Sequence, residues 1–161
     1  MHKNSIIKKY FLLIFFISVI SLLSAVYIEF ILNQKPCKLC IYQRIPYIIS
    51  IFVCFFGFTT ERNVFWLYCV ALVFVSSTLL SGYHVGIENN IFNEFSGCSS
   101  NNTNLIDKSE IIKSLAMDMP GCKDVNFKIL GLSLATLNLF ISLIISLYSL
   151  KLLIYEKNRS N

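Results

Sequence analysis

Charge is what this chain has least of: charged residues fill 14% of its 161 positions, against 55% for hydrophobic ones. A balance so apolar excludes an ordinary soluble core and places the chain in a bilayer. It also lacks an internal repeat, a low-complexity tract and a phosphate-cradling glycine loop, which sets aside repeat arrays and nucleotide-binding loops. The net charge is +5, but the lysines and arginines form no basic stripe, so no nucleic-acid partner is expected. Finally, no clear A-x-A cleavage site follows the first apolar run, which is longer than a signal-peptide core. Lys3, Lys8 and Lys9 therefore introduce a retained helix rather than a leader.

A transmembrane helix needs roughly 20 mostly apolar residues. Four segments meet or approach that length: Tyr10 to Leu32, Cys40 to Phe58, Val64 to Val85, and Ile129 to Leu150. The second is short, so its helix starts nearer Cys37, with Pro46 inside it. The expected fold is an all-α membrane protein of one domain over residues 1–161, a four-transmembrane-helix bundle. Residues 33–39 and 86–128 form the two loops on one side. Within the longer loop, Leu105, Ile112, Leu115 and Met119 recur at helical spacing, which predicts a short amphipathic helix on the membrane surface. Lysines and arginines number seven on each side but are denser around the termini and the Thr59 to Asn63 turn, which places both termini in the cytoplasm.

Six cysteines are present, and four of them, Cys37, Cys40, Cys98 and Cys122, fall on the opposite side. The spacing Cys37-x-x-Cys40 is shared by zinc knuckles, haem attachment sites and redox pairs. Haem attachment needs a following His, and position 41 is Ile. A zinc site built from the four cysteines does not resemble paired knuckles, because Cys98 and Cys122 are too far apart in sequence, and no metal is expected. Structural disulfides are the plain rival to redox chemistry. Arg44 tips the balance, because it lies one helical turn beyond Cys40, where a fixed positive charge favours thiolate over thiol. His84 is read equally as a proton donor near the cysteines, with an unperturbed pKa of about 6.5, or as an interface histidine. Glu29 either reaches the interface or pairs with Arg44 or His84. Cys54 and Cys69 fall mid-membrane and read as small hydrophobes without a redox role.

Three runs carry a resemblance: Pro36-Cys37-Lys38-Leu39-Cys40-Ile41-Tyr42-Gln43-Arg44, then Gly82-Tyr83-His84-Val85-Gly86-Ile87-Glu88, and then Leu130-Gly131-Leu132-Ser133. With Cys98 and Cys122 between the last two, the chain resembles the DsbB family of membrane disulfide-generating proteins. Family members often carry Trp or Pro before the third cysteine, where this chain has Phe92 and Phe95-Ser96-Gly97. The resemblance implies a thiol:quinone oxidoreductase of the bacterial inner membrane, with its redox loops periplasmic. It would reoxidise a DsbA-like periplasmic thiol oxidase of thioredoxin fold and pass the electrons to a membrane quinone, ubiquinone or menaquinone. Carried over, Cys98 and Cys122 form the disulfide that the partner attacks. Cys122 then attacks Cys37 and releases Cys40 as a thiolate, with Arg44 holding its charge and the quinone ring, and His84 as a further cofactor-binding residue. A non-catalytic, disulfide-stapled four-helix membrane scaffold is the alternative. The vitamin K epoxide reductase family places its quinone-facing pair on the last helix, and Ile129 to Leu150 contains no cysteine.

Overall fold

The computed structural model describes residues 2–60, 63–93, 121–123, 128–129 and 131–160. Its helices are α1 (His2–Phe30), α2 (Lys38–Thr59), α3 (Asn63–Glu88) and α4 (Leu134–Ser160). Each contains a stretch long and apolar enough to cross a membrane: Ile6–Phe30, Lys38–Thr59, Asn63–Glu88 and Leu134–Asn158. The protein is therefore a multi-pass membrane bundle, as its composition predicts. The amphipathic helix expected over 105–119, and Cys98 with it, lie outside the described residues.

Helix α1 starts eight residues earlier than the apolar run suggests. Ile7, Tyr10, Phe11 and Ile14 recur one turn apart and are all buried, so a core-facing stripe runs back through the lysines. Helix α4 starts later than Ile129. Residues Lys128–Ile129 (β1) pair antiparallel with Leu132–Ser133 (β2), turning at Gly131, whose φ of 83° suits a residue without a Cβ. Ser133 then caps α4, its hydroxyl accepting the Thr136 backbone N–H at 3.1 Å.

Packing follows chain order, with α1 against α2, α2 against α3, and α3 against α4. At one end, α1 and α4 also meet. The Tyr10 hydroxyl donates to the Ile145 carbonyl at 3.0 Å and lies 2.8 Å from Ser149 Oγ, and the Tyr10 and Tyr148 rings stand 5.0 Å apart. The larger core cluster, with Phe11, Leu67, Phe74 and Cys54, fills this region. A second cluster, Cys37, Leu39, Ile87 and Cys122, sits where α1 and α3 end and α2 begins.

Candidate redox site

The spacing of the first two cysteines is helix-cap chemistry. Cys37 is the N-cap of α2, in extended conformation at φ −72° and ψ 168°, and its sulfur accepts the Cys40 backbone N–H at 3.2 Å. A side chain capping the N–H three residues on is the usual N-cap arrangement, here made by sulfur. The Cys40 sulfur lies 2.9 Å from that of Cys37, and both are free thiols.

His84 completes the cluster from α3. Its Nε2 is 3.7 Å from Cys37 Sγ and 3.3 Å from the Cys122 carbonyl oxygen. A carbonyl only accepts, so Nε2 bears the proton and presents it to both. On the other side of the ring, the Gln43 amide donates to Nδ1 at 3.0 Å, which fixes that tautomer. The Cys37 pKa is lowered to about 4. The hydrogen bond from Cys40 is the main cause, helped by that from His84, and together they outweigh burial. Cys122 is disulfide-bonded and packs in the same cluster as Cys37.

Arg44 makes an ion pair across two helices. Its guanidinium donates to Glu29 Oε2 at 2.6 Å, joining α2 to α1, and the thiolate-stabilising contacts gather on Cys37 instead of Cys40. Of the two partners considered for Glu29, Arg44 is the one it meets. Cys54 packs in the far core cluster and Cys69 is free on α3.

A cavity of about 390 Å³ joins these parts. Cys37, Cys40, Arg44, His84 and Cys122 line its polar end, and Ile20, Ile28, Leu137 and Ile141 of α1 and α4 line its apolar flanks. Tyr47 donates to Asn138 Oδ1, and Asn138 Nδ2 donates to Ser81 Oγ at 2.8 Å, tying α2, α4 and α3 together beside it.

Three contributors went unassigned in the sequence reading. Gln43 stands one turn beyond Cys40 and Glu88 one turn beyond His84, so helical register alone puts each on a site-facing surface. Glu88 accepts from Ser133 Oγ at 2.6 Å, at the α4 N-terminus, where a carboxylate is favoured. It also lies 3.9 Å from His84 Nε2. Ser133 itself was legible only as part of a motif.

Residues 7–152 match the protein family described as "Disulfide bond formation protein DsbB". Among curated proteins, the chain is 30% identical over 146 residues to the uncharacterized protein RP370 of Rickettsia prowazekii, a match covering 88% of this chain and 85% of that one. It is also 24% identical over 124 residues to a disulfide bond formation protein B of Xylella fastidiosa, covering 72% of each.

Proposed function

The chain belongs to the DsbB family, and on that premise we propose that it is a thiol:quinone oxidoreductase that reoxidises a periplasmic thioredoxin-fold dithiol and gives the electrons to a membrane quinone. The observation that carries this reading is a single cavity that brings Cys37, Cys40, Cys122, Arg44 and His84 together and continues between apolar stretches of α1 and α4.

In this reading the partner's thiolate attacks Cys98 and opens a Cys98–Cys122 disulfide. The freed Cys122 thiolate attacks Cys37 of a Cys37–Cys40 disulfide, and Cys40 leaves with the electron pair. The partner's second thiolate displaces Cys98 and leaves the partner oxidised; Cys98 then attacks Cys122 of the mixed disulfide and displaces Cys37, so the Cys98–Cys122 disulfide re-forms and the Cys37–Cys40 pair is left reduced. His84 Nε2–H, 3.7 Å from Cys37 Sγ, stabilises negative charge on that sulfur as it forms. The packing of Cys122 against Cys37 supports direct exchange between them.

The residues present suit a quinone. An apolar cleft accepts a ring and its isoprenoid tail, and Arg44 at the polar end supplies a donor for a carbonyl oxygen. Bound there, a quinone supplies an acceptor for two electrons and two protons. The same reading places both termini in the cytoplasm and the Cys122 end of the bundle in the periplasm.

The test uses purified protein in detergent with a reduced thioredoxin-fold periplasmic protein and a ubiquinone analogue, following quinone absorbance. Quinone loss should match partner oxidation and vanish in Cys40→Ser. Quinone that stays oxidised, with all outer cysteines still bonded, would overturn the proposal in favour of a stapled scaffold.

A further inference from the structure

Cys37 Sγ, Cys40 Sγ and His84 Nε2 lie within 4.8 Å of one another, and none of the three is supplied by the Cys98–Cys122 segment whose spacing argued against zinc. We propose that the reduced dithiol and His84 form a binding site for one Zn²⁺ ion, with two sulfurs and one imidazole as ligands and the fourth position open to the cavity.

The donor set is the first argument. Zinc prefers thiolate and imidazole, and three protein ligands with an open position is one of its common arrangements. The spacing is the second. Around a tetrahedral zinc, with bonds of about 2.3 Å to sulfur and about 2.0–2.1 Å to nitrogen, ligand atoms stand roughly 3.5–3.8 Å apart. Cys37 Sγ and His84 Nε2 already stand 3.7 Å apart. The sulfurs, at 2.9 Å, need to separate by under an ångström, within the reach of a small side-chain rotation at Cys40.

The outer contacts form the third argument. A metal-bound histidine needs an acceptor for its other ring nitrogen, which fixes the ring and raises its basicity. Gln43 is already held 3.0 Å from Nδ1. Moving the ring proton from Nε2 to Nδ1 and turning the amide so that its oxygen faces the ring satisfies both groups. Two thiolates and Zn²⁺ make a neutral unit, which suits burial. The losses are the Nε2–H bond to the Cys122 carbonyl and the Cys40 thiol proton, which passes to solvent.

The ion and the Cys37–Cys40 disulfide compete for the same sulfurs. Zinc therefore binds only the reduced pair and, where the proposed relay operates, holds it out of thiol exchange. Binding itself does not depend on that relay, so the test omits quinone and thiol partner alike.

The protein is the Cys98→Ser/Cys122→Ser variant in detergent, reduced, freed of reductant and titrated with Zn²⁺ against a chromophoric chelator. One ion per chain is expected, none after the pair is oxidised, and a loss of affinity of roughly tenfold or more in His84→Asn, since losing even a group that only hydrogen-bonds to a ligand costs that much. Zinc-edge X-ray absorption of the protein with His84 intact provides a measurement independent of how that variant folds, and should show two sulfurs and an imidazole. Unchanged affinity in folded His84→Asn, two sulfurs with only oxygen ligands, or equal binding by the oxidised protein would each overturn the site.

Discussion

Cys37 does two things with one sulfur: it caps α2 and it carries the negative charge of the pair. The cap follows from its place at a helix N-terminus, where N–H groups are otherwise unsatisfied, and the charge follows first from the hydrogen bond with the Cys40 side chain and then from that with His84. With its pKa lowered to about 4, the folded protein keeps the thiolate above that pH and loses it only as pH falls through it. In the reduced protein, the ultraviolet thiolate absorbance that Cys37→Ser removes should therefore persist from pH 8 down to 5, whereas an ordinary cysteine, with a pKa of about 8.5, would lose it over that range. Arg44 and Glu29 give a second prediction. In Arg44→Met the proposed quinone contact is gone, and the apparent KM for quinone should rise roughly tenfold or more, the scale of a hydrogen bond to a charged group. Unchanged quinone kinetics would remove Arg44 from the site. Glu29→Gln leaves the guanidinium in place but without its ion pair, so a smaller change in the same assay is expected.

At the level of elements, the end of α3 shows how much backbone geometry supports the site. Asn90, at φ 60°, closes the helix, with the Asn90 N–H bonded to the Ile87 carbonyl at 3.0 Å and the Ile91 N–H to that of Gly86 at 2.8 Å, the paired bonds of a Schellman cap. The chain then folds Phe92 back over Gly86, where an added Cβ would overlap its ring, and beside Tyr83, 5.7 Å away between ring centres. Gly86→Ala should lower stability by about 1–3 kcal/mol, as overpacking generally does. Thermal unfolding in detergent checks this, and adding Phe92→Ala should restore most of the loss. Element boundaries were the least legible part of the sequence. The start of α1 was hidden because Lys8 and Lys9 interrupt the apolar run without interrupting the buried stripe from Ile7 to Ile14. The start of α4 was hidden because Ile129 and Leu132 are as apolar in a two-residue hairpin as in a helix, and only the Ser133 cap marks the change.

For the whole molecule, number and character of the helices were legible from hydropathy, because a bilayer leaves few alternatives for long apolar segments. The pairing of Cys37 with Cys40 was legible because i and i+3 meet at a helix start. What a one-dimensional pattern could not show is which helices come together around them: that Gln43 reaches His84 of α3, that Glu29 meets Arg44 rather than His84, and that Glu88 faces the cap of α4. The cavity between α1 and α4 also has a testable consequence. Ala25 lines it from α1, so Ala25→Trp should narrow the cleft and raise the apparent KM for quinone several-fold. The rate of disulfide exchange with the thiol partner, measured without quinone, should stay at the wild-type value; a loss of both together would place Ala25 in general packing.

The cleft is walled by the first and last helices of the chain, joined at one end by Tyr10 and separated at the other by the site. Synthesis runs from one wall to the other, so a ribosome must release α4 before the second wall exists. A nascent chain stopped after α3 carries both cysteines of the first pair and His84, yet has no pocket for a lipid-soluble acceptor. Where the proposed relay operates, competence therefore comes only with complete membrane insertion, and the earliest point at which the protein could pass electrons to the lipid phase is set by biogenesis.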